Sequence, residues 1–144
     1  MVLHFAKYVG RLAPGNSFDR ILVERTMVDT FIIVLAISNA LNLDLANRVK
    51  FGSGSLGLRV SEHATDEAFA MSLFISMAQV TGRLAKACES LDHVEDFDSR
   101  KELERGVAEL CAISLAAALR LDIDLAERTK SKWSALERKN VFDS

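Results

Sequence analysis

Proline is almost missing from this chain: Pro14 is the only one in 144 residues. Proline removes a backbone donor and clashes with the preceding turn, so its absence after position 14 leaves long helices uninterrupted. Glycine is scarce too, and three of the seven glycines cluster at 52, 54 and 57, which marks one flexible connector. That stretch, residues 52–57, is not a phosphate-cradling loop, because no strand precedes it and no Gly-Lys-Ser/Thr follows. The two cysteines, Cys88 and Cys111, are too few for a disulfide scaffold. They lie in apolar helical stretches and read as reduced core thiols of a cytosolic protein.

Other absences exclude whole classes of chemistry. His4, His63 and His93 share no ligand spacing, and neither His-Glu-x-x-His nor Cys-x-x-Cys occurs, so a zinc site has no support. No serine sits in Gly-x-Ser-x-Gly, which removes the usual nucleophile elbow. The net charge of −2 offers no electrostatic footprint for a nucleic acid polymer. Residues 1–12 are broken by His4, Lys7 and Arg11 and are not expected to be a signal peptide. Residues 26–43 are strongly apolar but contain Asp29, Ser38, Asn39 and Asn42, which favours a buried helix over a membrane span. A cytoplasmic location is expected, without a membrane partner.

What is present is helix, and helix written twice. Residues 5–13 pair with 77–85, sharing Gly-Arg-Leu-Ala at Gly10 and Gly82. Residues 24–50 align without insertion on 104–130, with eleven of 27 positions identical. The polar tail Asp44-Leu45-Ala46-x-Arg48-x-Lys50 reappears as Asp124-Leu125-Ala126-x-Arg128-x-Lys130. Composition alone does not reproduce exposed polar positions in register. The expected fold is therefore all-α: a single domain over 1–144, a four-helix-type bundle of two tandem units (about 5–50 and 77–130) related by a pseudo-twofold.

Periodicity places the helices. One is expected over about 3–12, ending at Pro14-Gly15. A second, about 18–41, is capped by Asn16 or Ser17 and carries Leu22, Thr26, Asp29, Ile33, Ile37 and Ala40 along one stripe. Asn42 suits a left-handed C′ position, and Asp44 starts a short helix to 51. The longest runs from 62 or 65 to about 91, with Leu73, Met77, Val80, Leu84, Ala87 and Leu91 as the seam of a near-parallel bundle. An acidic linker, 92–98, leads to Ser99-x-x-Glu102, a capping box opening a helix over about 100–121. A last helix runs to about 139. The long central helix is expected to pack antiparallel to the helix over 100–121, and the N-terminal helix similarly on 18–41. Faces this apolar leave room for a homodimer.

Two carboxylates stand out. Asp29 is the only charge in residues 26–43, and Glu109 is the only charge in residues 106–119. They occupy equivalent positions, and an unpaired carboxylate buried there would cost several kcal/mol, about 3–5 for a broken buried pair, so each needs a partner.

These residues resemble the MazG-like, all-α nucleoside triphosphate pyrophosphohydrolases. Members have a Glu-Glu-x-Gly-Glu-Leu-Ala helix, a helix running from Glu-Leu-x-Asp to a Leu-Gly-Ile-Asp-Leu turn, and a last helix with Lys, Asn and Arg. Gly82-Arg83-Leu84-Ala85 looks like the first motif and Gly106-Val107-Ala108-Glu109 stands at the second. Leu121-Asp122-Ile123-Asp124-Leu125 resembles the turn. Lys132 and Arg138 fall at the family's Lys and Arg, with Leu136 at the Asn. The first unit has Gly10-Arg11-Leu12-Ala13, Thr26-Met27-Val28-Asp29 and Leu41-Asn42-Leu43-Asp44-Leu45 in the same places.

The resemblance implies magnesium held by four acids, with the metal on the substrate phosphates, and hard cations do need several oxygen ligands. Here the paired glutamates are Lys7 and Tyr8, or Gln79 and Val80. The acid after glycine is Arg11 or Arg83, and the leading Glu of Glu-Leu-x-Asp is Thr26 or Gly106. One acid in four survives per unit. The resulting expectation is a MazG-like protein with lost or weakened pyrophosphohydrolase activity and no cofactor, binding a nucleoside triphosphate or phosphate through Arg11, Arg83, Lys132 and Arg138. An active magnesium enzyme would need Asp29, Glu109 and Glu102 as metal ligands, with Glu24 or Glu104 as further recruits. A structural or partner-binding bundle is the third reading. In the family the acid after glycine faces the Asp of the next helix across the ion, so Arg11 is expected to pair with Asp29 and Arg83 with Glu109, or the same four exchanged.

Overall fold

The computed structural model describes residues 2–15, 18–52, 65–93 and 98–140, with side chains described at 2–15, 18–49, 65–93 and 98–135. Among these residues all regular structure is α-helical: α1 (Val2–Leu12), α2 (Arg20–Leu41), α3 (Leu45–Gly52), α4 (Asp66–Asp92), α5 (Ser99–Arg120) and α6 (Leu125–Asn140). The glycine connector beyond 52, the candidate caps Asn16 and Ser17, and His63 lie outside the described residues, as do positions 94–97 of the acidic linker.

Helix ends follow local side-chain chemistry, with two departures from expectation. Asp19 caps α2, its carboxylate accepting from the Leu22 amide at 3.0 Å. Asp98 caps α5 through the Lys101 amide at 3.0 Å, and Ser99 is a buried first-turn residue. The expected Ser99/Glu102 capping box does not form, because a charged carboxylate one residue earlier satisfies the helix end and Glu102 turns to arginines. Thr65 caps α4 as one of the two expected starts. Asn42 (φ 54°) and Asp122 (φ 51°) are both left-handed. Behind them the Leu43 amide donates to Ser38 O at 2.8 Å and the Ile123 amide to Ala118 O at 2.9 Å, the six-to-one bond of a Schellman ending. Asp44 and Asp124 then accept from the amides of Asn47 and Glu127, opening α3 and α6.

Four helices share one apolar core. Phe5 and Tyr8 of α1, Met27 and Val34 of α2, Phe69, Leu73, Met77 and Leu84 of α4, and Val107 and Leu110 of α5 form a single buried cluster. Each such side chain contributes about 1.5–3 kcal/mol by leaving water. The buried face of α2 includes Val23, Thr26, Met27, Thr30, Val34 and Ile37; Thr26 and Ile37 of the expected stripe are buried, Asp29 and Ile33 are half-buried, and Leu22 and Ala40 face outward. On α4 the seam holds from Leu73 to Ala87, while Leu91 is exposed beyond the last packed turn. By length and composition α4 is long and apolar enough to cross a membrane.

Contacts at both ends fix the helix directions. Arg120 meets Asp66 at 3.1 Å, and Gly106 abuts Leu84, so α4 and α5 are antiparallel. Arg20 donates to the carbonyl of Leu121, and Arg100 donates to the carbonyl of Leu41 at 3.2 Å. Those two bonds tie the start of each long helix to the end of the other, making α2 and α5 antiparallel. The short helices lie across the pair: α3 packs on α5 and α6 on α2. Arg48 of α3 reaches Glu104 at 2.8 Å, and Arg128 of α6 reaches Glu24 at 2.8 Å. Cys111 is buried and Cys88 half-buried, both free; burial pushes the Cys111 thiol up to about 11, which keeps it protonated and unreactive at neutral pH.

The α4–α5 contact depends on a missing side chain. A Cβ on Gly106 would stand 2.6 Å from Leu84 Cδ2 and 2.9 Å from its Cγ, and Leu84 is itself enclosed. Gly106→Val should therefore lower stability by about 1–3 kcal/mol through overpacking. Gly10→Ala and Gly82→Ala, which meet nothing within 4 Å, should be neutral or stabilise by up to about 1 kcal/mol. Urea unfolding of the three variants decides this, and equal behaviour at 10, 82 and 106 would contradict the packing.

Candidate functional site

The sequence's two isolated carboxylates become the centres of two charged clamps. In the first, Arg11 Nη1 donates to Asp29 Oδ2 at 3.0 Å, and Lys132 Nζ donates to the other oxygen, Oδ1. Arg11 comes from the last turn of α1, Asp29 from the middle of α2 and Lys132 from α6, so this one carboxylate joins three helices. Tyr8, one turn before Arg11, lies beneath, with the guanidinium carbon 5.3 Å from its ring centroid. Its phenol is raised above the ordinary value of 10, first by burial, then by the Asp29 charge, and it is partly relieved by Arg11.

In the second clamp, Arg83 of α4 donates to Glu109 of α5. The Nε of Arg83 also lies 3.4 Å from Glu102 Oε1, an ionic contact without hydrogen-bond alignment. Arg105 closes the group, donating to Glu102 and standing 3.7 Å from Glu109. Here two arginines face two glutamates. Both expected pairs, Arg11–Asp29 and Arg83–Glu109, are thus present, each within its own half of the sequence. The residues that sequence reasoning missed are Arg105 as a bridge and the role of Lys132 as a partner of Asp29. The spacing of Arg105 to Glu102 (three) and Glu109 (four) was a readable signal for the former. Nothing local pointed to the latter, because Lys132 and Asp29 are 103 residues apart.

The expected phosphate-binding quartet does not assemble as one site. Arg11 and Lys132 meet on Asp29, whereas Arg83 belongs to the other clamp; the side chain of Arg138 lies outside the described residues. Nor do the candidate metal ligands fit magnesium. Both oxygens of Asp29 hold cations, and Glu102 and Glu109 are each held by two arginines. Glu24 and Glu104, the further recruits, are engaged by Arg128 and by Arg48 and Arg100. Among the described residues no three His, Cys, Asp or Glu side chains converge as a metal site. The physical reason is charge: a divalent ion needs several anionic or neutral oxygens, and here cations already occupy them.

A cavity of about 420 Å³ opens beside the first clamp, between the end of α1 and the starts of α2 and α4. Arg11 belongs to both the clamp and the cavity wall. Leu12, Phe18, Leu22 and Met71 give the wall its apolar character, and Asp19 and Glu67 also line it. Its size falls in the range of about 300–1,000 Å³ typical of small-molecule sites.

Two predictions follow from this geometry. The arginines of the clamps are one-third to one-half exposed, Arg11 at 34%, Arg83 at 38% and Arg105 at 54%, so solvent screening reduces the cost of breaking them below that of a fully buried pair. Asp29→Ala, which strands Arg11 and Lys132, should cost about 1–2 kcal/mol. Glu109→Ala should cost less than about 1 kcal/mol, because Glu102 still contacts both Arg83 and Arg105 and the one unmatched charge is solvent-screened. Chemical denaturation with a double-mutant cycle measures both, and a larger loss at Glu109 would refute this ranking. Tyr8 is the only tyrosine, so absorbance at alkaline pH reads it alone. It should ionise above pH 10; Asp29→Asn should lower its midpoint and Arg11→Ala raise it. Because the folded state holds the proton more tightly than the unfolded one, this group's contribution is lost as pH rises above its unfolded value near 10.

No family model, curated protein or solved structure matches this chain.

Proposed function

We propose that the chain is an internally duplicated, MazG-like helical protein that acts by binding and does not hydrolyse nucleoside triphosphates. The single observation that carries this reading is the first clamp, where Arg11 and Lys132 occupy both oxygens of the surviving acid Asp29. In a magnesium pyrophosphohydrolase that acid would face the ion. A guanidinium supplies positive charge and directional donors, but it brings no coordinated water and no bridge between phosphate oxygens. The capacity that remains is recognition of an anionic group, at Arg11 and Lys132. The location proposed for the protein is cytoplasmic.

The duplication is part of the same reading and draws support from reciprocal contacts at a constant sequence offset. Arg48–Glu104 and Arg128–Glu24 exchange partners between the halves. Arg100 to Leu41 O and Arg20 to Leu121 O do the same, and the left-handed residues Asn42 and Asp122 are equivalent. Residue i touching j′ while i′ touches j is the pattern of a twofold interface, here within one chain. The matching of α1 to α4 and α2 to α5 is the proposed pseudo-twofold bundle.

Incubation with a panel of (d)NTPs and magnesium tests the reading. The expected result is no pyrophosphate above a protein-free control and no shift of the melting temperature on adding magnesium alone. Pyrophosphate release that is abolished by Asp29→Asn or Glu109→Gln would overturn it in favour of an active enzyme.

A further inference from the structure

The two clamps are built from sequence-equivalent positions but do not carry the same charge. In the second, Arg105 sits three residues after Glu102 and four before Glu109 and contacts both, so two arginines balance two carboxylates. The corresponding arginine of the first clamp is Arg25, four residues before Asp29 and therefore on the same face of α2. The position corresponding to Glu102 is Leu22, which carries no charge. Both oxygens of Asp29 are already held by Arg11 and Lys132, and Arg25, which is exposed, has no ion-pair partner among the described residues. Arg11 and Lys132 hold Asp29 while the spacing puts Arg25 on the same face of α2, so three cations share this face with one carboxylate, a formal excess of two positive charges where the other clamp has none.

Leu22 has a second consequence, because it is also part of the cavity wall. The substitution that removes the acid from the clamp adds apolar surface to the adjoining cavity of about 420 Å³, where Arg11 stands between the two. A cationic cluster with an excess of two charges matches a phosphate monoester, which carries about −1.5 to −2 at neutral pH. Arginine and lysine donors to phosphate are charge-assisted and are the strong kind of hydrogen bond. The cavity beside them suits an apolar group joined to that phosphate. Asp19 and Glu67 line the same cavity and would repel a second anionic group on the ligand body.

We propose that the Arg11–Arg25–Lys132 cluster and the adjoining cavity form a binding site for a small organic phosphate monoester, its phosphate on the three cations and its apolar body between α1, α2 and α4. This rests on the binding reading above and names the ligand class for that capacity. Neither a metal nor a chemical step is required of the site.

Calorimetric titration of the full chain with 1-naphthyl phosphate and with inorganic phosphate tests it, at low salt to limit screening. Naphthyl phosphate should bind, and inorganic phosphate should bind at least about tenfold more weakly because it lacks the apolar body. Two variants at exposed positions of α2 probe the charge without touching the core. Arg25→Gln should weaken naphthyl phosphate about tenfold, the loss of one charge-assisted contact. Leu22→Glu, which lowers the formal excess from two charges to one and also puts a carboxylate into the cavity wall, should weaken it by more. Thermal melts confirm that both variants are folded. Absence of binding to the wild type, unchanged affinity in both variants, or equal affinity for inorganic phosphate would each overturn the proposal. Pyrophosphate release from nucleotides would count against the non-hydrolytic reading alone, since these titrations contain no nucleotide.

Discussion

A carboxylate placed in the apolar middle of a helix must find a cation, and much of this architecture follows from where that cation comes from. Asp29 draws Arg11 from the preceding helix and Lys132 from the last one. That convergence holds α1 and α6 to α2, although α6 has few apolar residues of its own. Glu109 draws Arg83 from α4, the helix against which α5 already packs. The difference between the clamps is therefore one of reach: one joins three elements, while the other reinforces a pair. Neither arginine is fully enclosed, so the clamps orient the helices more than they add net stability.

Arginine does comparable work at the ends of the bundle. The Schellman endings at Asn42 and Asp122 leave helix carbonyls without intrahelical partners. Arg100 and Arg20 donate to the carbonyls of Leu41 and Leu121 from the starts of the opposite long helices. Each bond satisfies an acceptor and fixes the antiparallel register of α2 and α5. Arg48 and Arg128 then hold the short helices to Glu104 and Glu24 across the same pair. The apolar core supplies the larger burial energy, but Leu and Val contacts alone tolerate sliding. The directional guanidinium bonds select one register.

The chemistry at the clamps differs in kind from that implied by the family resemblance. The resemblance implies acids sharing a divalent ion, whereas here cations neutralise the acids present. Where neutralisation is complete, at Glu102 and Glu109, the site is closed to further charge. Where Leu22 stands in place of a glutamate, positive charge is left over beside an apolar cavity. Two differences, Leu22 where the other clamp has Glu102 and the added Lys132, thus separate the two clamps in charge.

Much of the helical architecture was legible in the sequence. Scarcity of proline and glycine favoured long helices; the α4 seam from Leu73 to Ala87 and the left-handed Asn42 followed from spacing and side-chain type. The need of Asp29 and Glu109 for partners also followed, because isolated charge in an apolar helix is costly whatever the fold. Helix starts were less legible: Asp19 caps α2 where Asn16 or Ser17 was expected, and Asp98 caps α5 where Ser99 was, because a charged acceptor at the junction takes the free amides. The buried face of α2 was broader than the expected stripe, adding Val23, Met27, Thr30 and Val34 to Thr26 and Ile37, because three neighbouring helices share its surface. Sequence by itself determined the local elements and which charges could not stand alone. Only the tertiary structure decided that Lys132 completes the Asp29 clamp and that a cavity adjoins Arg11, because both depend on packing between segments whose separation along the chain gives no local energetic signal.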